Sequence, residues 1–308
     1  MIMRLLILIL IALAMAGGLQ AQTDWSYTQL LNNPGLVNPS YQGRTSDLTL
    51  DAFCRRQWSG VEGAPECAAF DLNGCLSRKG LTGGLIGQFE RENVINRSML
   101  AANITARIRL SRFDYLMAGI RMGVDMLSYD RGKIIGNEDD VFFAESRTTF
   151  ISGVGATWSR KDLIVGISGL LNLGGSDDIV SFACHGEYDI QVGRDWTWNV
   201  HPMLMVKYHN IWGSYAEGGV RGGKTEYFQV GMSYRTDQTM VASLDVRVVH
   251  CLSVTYSFSM HTGELANLSK NTNEIGVKLN ISAAFRGKQK TRYDWTRDRW
   301  EWQKWWRL

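Results

Sequence analysis

The stretch Met240-Val241-Ala242-Ser243-Leu244-Asp245-Val246-Arg247-Val248 decides the fold. Met240, Ala242, Leu244, Val246 and Val248 share one side of an extended chain, and Ser243, Asp245 and Arg247 share the other. That period of two belongs to a strand between an apolar and a wet environment. The pattern recurs. Leu100, Ala102, Ile104, Ala106, Ile108 and Leu110 oppose Asn103, Thr105, Arg107 and Arg109. Leu252, Val254, Tyr256, Phe258 and Met260 oppose Ser253, Thr255, Ser257, Ser259 and His261. Val180, Phe182, Cys184, Tyr188 and Ile190 oppose His185, Glu187, Asp189 and Gln191 within 178–192, and Ile275, Val277, Leu279, Ile281, Ala283 and Phe285 oppose Lys278, Asn280 and Ser282 within 275–285.

A soluble β-sandwich also alternates. Here the segments run longer than sandwich strands, and charges sit repeatedly at mid-strand on the polar side. Trp58, Trp158, Trp196, Trp198, Tyr208 and Trp212 stand near strand ends, as interfacial girdles require. After the leader, no segment is apolar and long enough to span a bilayer as a helix. A chain whose backbone must be satisfied within lipid then has a closed barrel left to it. The sequence therefore predicts an all-β transmembrane antiparallel β-barrel of about 14 strands (12–14) over residues 46–285, in the outer membrane of a bacterium.

Residues 1–21 read as a signal peptide: Arg4 supplies charge, Leu5–Ala16 the apolar core, and Gly17, Gly18 and Ala21 the small residues before a cut. Residues 22–45 are not strand-like. Punctuated by Asn33-Pro34-Gly35 and Asn38-Pro39-Ser40, they are expected either to plug the lumen or to line the periplasmic mouth. Ser77-Arg78-Lys79-Gly80, Ser111-Arg112-Phe113-Asp114, Ser159-Arg160-Lys161-Asp162 and Gly193-Arg194-Asp195-Trp196 are short turns at every second connection. The alternate connections 57–64, 90–97, 128–146 and 263–271 read as longer loops. In such barrels short turns face the periplasm and long loops the exterior, which sets the tip near Gly60 outside the cell.

Glu274-Ile275-Gly276-Val277-Lys278-Leu279-Asn280-Ile281 has the polar-x-Gly-x-x-apolar-x-apolar form of a final barrel strand. Residues 286–308 form a tail with Trp295, Trp300, Trp302, Trp305 and Trp306 among Arg292, Arg297, Arg299, Lys304 and Arg307. An even strand count puts it on the periplasmic side, where it is expected to lie at the lipid interface or to dock on a partner.

Net charge is +3 with acids and bases interspersed, which gives no bulk signal for nucleic acid. Of five cysteines, Cys54 and Cys67 lie equally far from the centre of the first hairpin loop, a spacing that permits a cross-strand bridge or two small packing residues. No cysteine–histidine spacing suggests zinc. His185, His201, His209, His250 and His261 are scattered without a catalytic motif; His185, Glu187 and Asp189 read as a solvated lumen wall. Glu138-Asp139-Asp140 and Asp177-Asp178 lack a complete calcium-loop pattern. The expectation is a barrel without catalytic residues, cofactor or metal.

Two motifs carry a family resemblance. Asn33-Pro34-Gly35-Leu36-Val37-Asn38-Pro39-Ser40-Tyr41-Gln42-Gly43 resembles an N-P-x-x-x-N-P-A-Y-x-G segment, with Ser40 in place of Ala. Arg55-Arg56-Gln57-Trp58-Ser59-Gly60 followed by Gly63-Ala64-Pro65 resembles R-x-Q-W-x-G and G-A-P. In this order and spacing they resemble the PorP/SprF family of type IX secretion system outer-membrane proteins. The resemblance implies a Bacteroidota-type bacterium and a role either in the core machinery or in secretion and surface attachment of one adhesin-like cargo, such as those of gliding and adhesin export, bearing a C-terminal sorting domain. The partners implied are that cargo, other type IX components and outer-membrane lipid. On this reading Asn33, Pro34, Asn38, Pro39, Tyr41, Gly43, Arg56, Gln57, Trp58, Gly60, Gly63, Ala64 and Pro65 form a partner contact; structurally, the same glycines and prolines serve tight or rigid backbone. The competing reading is a pore or transporter for small or hydrophobic solutes, since fourteen strands enclose a substantial lumen.

Overall fold

The computed structural model describes residues 30–44, 47–58, 63–77, 80–130, 146–174, 179–192, 198–211, 213–224, 227–262 and 271–286. The leader, most of the Trp-rich tail, Gly60, and the acidic runs 138–140 and 177–178 lie outside them.

The wall comprises β1 (Thr49–Arg56), β2 (Glu66–Ser77), β3 (Leu81–Glu92), β4 (Ile95–Arg109), β5 (Asp114–Tyr129), β6 (Arg147–Arg160), β7 (Leu163–Leu173), β8 (Ile179–Tyr188), β9 (Ile190–Val192), β10 (Trp198–His209), β11 (Gly213–Lys224), β12 (Phe228–Arg235), β13 (Thr239–Val249), β14 (Leu252–His261) and β15 (Thr272–Asn280). Each strand pairs antiparallel with the next in sequence, and β1 closes the ring on β15 from Thr49 opposite Asn280 to Arg56 opposite Asn273. β8 and β9 both pair with β10 and are halves of one strand interrupted at Asp189. The result is a closed barrel of fourteen strands. Closure satisfies every edge, which the bilayer demands.

The outer surface is apolar. Leu100, Ile104 and Ile108 on β4 are each 48% exposed, and Leu244, Val246 and Val248 on β13 are likewise turned outward. Their polar alternates face inward, where Asn103, Thr105, Arg121, Glu217 and Glu274 are buried. Several charges on that inner face are paired: Arg97 with Asp125 at 2.6 Å, Arg235 with Glu217 at 3.0 Å and Lys278 with Asp245 at 3.9 Å.

Four expectations change. The 90–97 connection is no long loop: β3 and β4 meet through Asn93 and Val94, and Asn93 takes φ +49°, a left-handed conformation that asparagine tolerates. The last strand stops at Asn280 rather than 285, and Ile281–Arg286 form a short helix, α1. The Asn280 side chain accepts from Ala283 N at 2.7 Å and donates to Asp47 at 3.0 Å, while Ile281 N bonds Leu48 O, so polar groups of the rim on the short-turn side end the ladder. Phe285, expected on the lipid face, stands exposed on α1. Finally, Cys54 and Cys67 do not bridge. Arg55 stands opposite Cys67 and Cys54 opposite Ala68, so a one-residue offset points the thiols to opposite faces, and both are free.

Candidate functional site: the lumen segment and the first hairpin

Residues 30–44 lie inside the barrel as three 3-10 turns, Leu30–Asn32, Pro34–Leu36 and Pro39–Arg44. Of the segment 22–45, only residues 30–44 are described. Pro34 opens its turn at a position where no N–H is needed. Asn38 organises the next. Its Oδ1 accepts from Ser40 N at 3.0 Å and Ser40 Oγ at 2.7 Å, an Asx-type closure over Pro39. Its Nδ2 reaches Thr157 Oγ1 at 3.1 Å on β6 and His185 Nε2 at 3.0 Å on β8. Because Asn38 Nδ2 is a donor, His185 Nε2 is the acceptor and its proton sits on Nδ1.

The wall supplies further anchors. The guanidinium of Arg121, 2% exposed on β5, donates to Leu36 O at 2.6 Å, Gly35 O at 2.7 Å and Asn103 Oδ1 at 2.8 Å. Thr105 donates to Pro39 O at 2.7 Å and Ser168 to Val37 O at 3.0 Å. Gln42 donates to Asp71 at 2.6 Å, and Asn33 to Asp51 at 3.4 Å. Arg44 pairs with Glu187 at 2.9 Å and bonds the Tyr41 hydroxyl, and the Tyr41 ring meets His185 edge-on. Most of the segment's buried carbonyls and side chains thus find partners away from water; Gln42 Oε1 and Asn103 Nδ2 make no hydrogen bond.

Glycines on the inner face make room. A Cβ at Gly119 would lie 2.6 Å from Ser40 N and 2.7 Å from Pro39 C, and one at Gly84 2.5 Å from Gln42 Oε1. Gly155 and Gly166 similarly clear space for Asn38. An apolar cluster joins segment to wall: Leu30, Leu31, Leu36 and Val37 pack among Ile86, Met99, Ala101, Ile151 and Met205.

The first hairpin is built differently. Gln57 N donates to Pro65 O at 2.9 Å and closes the base of the loop; Arg55 donates to the Gln57 side chain at 3.1 Å, and Arg56 meets Glu66 at 3.4 Å with both side chains more than half exposed. Trp58 takes φ +46° and Gly63 φ +73°. Such a conformation strains a bulky residue such as tryptophan. Gly63 O accepts from Asn93 N at 3.2 Å, which leans this loop on the next turn.

The two motifs therefore occupy separate places. Asn33, Pro34, Asn38, Pro39 and Gly43 are buried in the lumen with Tyr41 partly so, whereas Arg56, Gln57, Trp58, Gly63, Ala64 and Pro65 lie at the rim opposite the short turns. Gly60 is outside the described residues, as are Trp295, Trp300, Trp302, Trp305 and Trp306. His185, Glu187 and Asp189 are not a solvated wall: the first two hold the segment, and Asp189 accepts from Asn199 at 2.9 Å beside His201. Sequence reading missed Arg121, Thr157 and the wall glycines as partners of the segment. The phase of an alternating strand is the signal that could have marked Arg121 and Thr157 as inward, but nothing local marks what they face. Among the described residues no group of His, Cys, Asp and Glu is arranged to hold a metal.

The fold has known counterparts. The outer membrane protein Omp33 of Acinetobacter baumannii superposes with a TM-score of 0.50 at 7% identity, over 78% of this chain and 100% of that one. BamA from Haemophilus ducreyi lacking POTRA domains 1–3 gives 0.43 at 9% identity, over 76% and 70%. The NanC porin gives 0.41 at 11% identity, over 75% and 100%. The likeness to Omp33 shows the fold alone, an outer-membrane barrel. No curated protein matches the chain significantly. A family profile described as type IX secretion system membrane protein PorP/SprF matches residues 19–279, which also places the chain among non-enzymatic outer-membrane proteins associated with that secretion machinery. By fold, motif and profile, the chain belongs to the PorP/SprF family of type IX secretion system membrane proteins.

Proposed function

We propose that this barrel assists secretion and cell-surface attachment of an adhesin-like cargo protein carrying a C-terminal sorting domain, and that the first hairpin is where the cargo rests. The observation that carries the reading is the division of the family motifs between an occupied lumen and an exposed rim. A lumen holding residues 30–44 is ill suited to bulk diffusion, which weighs against a solute pore. The rim offers exposed Arg56 and half-buried Trp58 on a loop whose base is closed by its own backbone, with Pro65 buried within it. An aromatic and an arginine on a rigid support are the residue types that dominate protein contacts. The lumen segment supports the wall beneath that rim and contributes through Tyr41 and Arg44 rather than as an outer surface. Outer-membrane lipid meets the apolar exterior, and the Trp-rich tail is proposed to serve the periplasmic side, at the lipid interface or on another type IX component.

The test is surface and secreted proteomics on a deletion strain complemented with the parent or with a Trp58→Ala, Pro65→Ala chain. Loss of one surface protein on deletion, restored by the parent and not by the variant, is the expected result. Loss of many secreted proteins together places the barrel in the core machinery instead. A variant that restores attachment as well as the parent removes the hairpin from the contact.

A further inference from the structure

The outer surface of the wall carries a notch where β15, β1, β2, β3 and β4 approach the long connections. On the lipid-facing phase, Ile275, Cys54, Ala68, Phe89 and Ser98 stand side by side, each opposite the next. Two residues further toward the rim, Asn273, Arg56, Glu66, Arg91 and Asn96 form the next row. Both rows line a cavity of about 570 Å³. The lower row is apolar or small and the upper row polar, so the boundary between hydrocarbon and headgroups runs through the cavity. Short side chains at Cys54, Ala68 and Ser98 leave it open. Phe89 stacks on Phe70 with ring centroids 6.5 Å apart, and Phe70 lies across Gly87, where a Cβ would stand 2.2 Å from its Cε1. The aromatic pair is thus folded against the wall, whereas on β5 and β6 Met126 and Phe150 project toward lipid. In the upper row Arg56 pairs with Glu66 at 3.4 Å, and exposed Arg91 stands opposite the same glutamate, which leaves one positive charge in excess. The Tyr256 hydroxyl donates to Asn273 at 2.6 Å and borders the row.

We propose that this notch binds one phosphorylated lipid of the outer leaflet, with its phosphate on Arg91 and Arg56 and one acyl chain along Cys54, Ala68 and Ser98. The planar guanidinium fork matches a phosphate. The volume falls within the range of about 300–1,000 Å³ of ligand clefts, which suits a phosphate and a single chain while the rest of the lipid stays in the bilayer. The long connections face the cell exterior in such barrels, where the phosphorylated lipid is lipid A. This is a defined site, beyond the general contact of lipid with an apolar exterior. It stands apart from the cargo reading, because Arg91, Ala68 and Ser98 lie outside the hairpin motif.

The experiment titrates the purified, delipidated barrel in neutral detergent with bisphosphorylated lipid A or with phosphatidylcholine and counts retained lipid by native mass spectrometry. One lipid A per barrel, and no retained phosphatidylcholine, is expected. Arg91→Gln should weaken lipid A binding roughly tenfold, the loss of one charged hydrogen bond. Ala68→Leu fills the notch with an apolar group on the lipid face and should weaken it as much. Arg112→Gln, at an exposed short turn, should bind as the parent does. All three should keep the heat-modifiable mobility of a folded barrel. Equal retention of the two lipids by the parent, or parental affinity in either Arg91→Gln or Ala68→Leu, overturns the proposal. Complete displacement of lipid A by equimolar inorganic phosphate would also overturn it, leaving a site for the free anion.

Discussion

The lumen segment and the first hairpin carry two halves of one family signature under opposite physical conditions. In the lumen, Asn38 is fully buried and every polar atom of its side chain is bonded; at the rim, Arg56 keeps one long, exposed ion pair. A buried polar network is costly to disturb, because a group left without a partner bears its whole desolvation penalty. A solvated ion pair contributes little. Side chains held at the rim with little return in stability are those to examine for recognition, whereas those in the lumen explain themselves by packing.

The widest way to break the comparison is to empty the lumen while keeping the wall. Gly119→Leu puts a side chain where Pro39 and Ser40 backbone already lies, and that backbone has no flexible end to yield. The segment should be displaced, and purified barrels in planar bilayers should pass from the low parental conductance to large open events. Parental conductance in the variant would show that residues 30–44 do not close the lumen. Leu244→Arg touches neither region and calibrates the wall alone. At mid-strand on the lipid face it should cost about 2–4 kcal/mol in folding titrations from lipid vesicles, and a neutral result would contradict the outward orientation of β13.

A third substitution sharpens the lumen side. Asn38→Ala removes the closure over Pro39 and leaves Thr157 and His185 facing an apolar methyl. A loss of about 1–3 kcal/mol confined to the segment corresponds to amide exchange faster by roughly 5- to 150-fold. Exchange at Val37, Asn38 and Tyr41 reads it, with strand amides of β4 and β13 as the unaffected reference. Equal acceleration in the strands would mean that segment and wall unfold as one unit.

How much of this was legible follows from what alternation encodes. Period two told inside from outside, and it placed Leu244, Val246 and Val248 toward lipid and Asn103 and Thr105 toward the lumen. It could not say what an inward residue meets, so His185 and Glu187 read as wetted when they hold Asn38 and Arg44. Register is likewise invisible to alternation alone. Cys54 and Cys67 are symmetric about a loop centre taken between residues, but the true pairing is centred one half-residue further on, and the faces reverse. Alternation also ran on through Ile281, Ala283 and Phe285 after the ladder had ended. The asparagine that caps α1 is a rim residue whose partners, Asp47 and Leu48, lie at the other end of the barrel sequence.

The smallest expected effect is the most informative about the rim. Pro65→Ala keeps the carbonyl that Gln57 N uses, since that bond depends on backbone, and Trp58→Ala removes a half-buried indole whose Nε1 makes no hydrogen bond. Stability should fall by about 0.5–1 kcal/mol for the proline, which is buried and fixes φ in the base of the loop. Alanine keeps the Cβ that makes φ +46° costly, so the variant reads the indole's contacts alone. Thermal shifts of the heat-modifiable band should be modest for both variants, well below that of Leu244→Arg. If instead Trp58→Ala lowers the transition as much as Leu244→Arg does, the indole is part of the wall's own packing, and the contrast between rim and lumen collapses. A modest melting shift together with lost surface attachment would separate recognition from folding at this one residue.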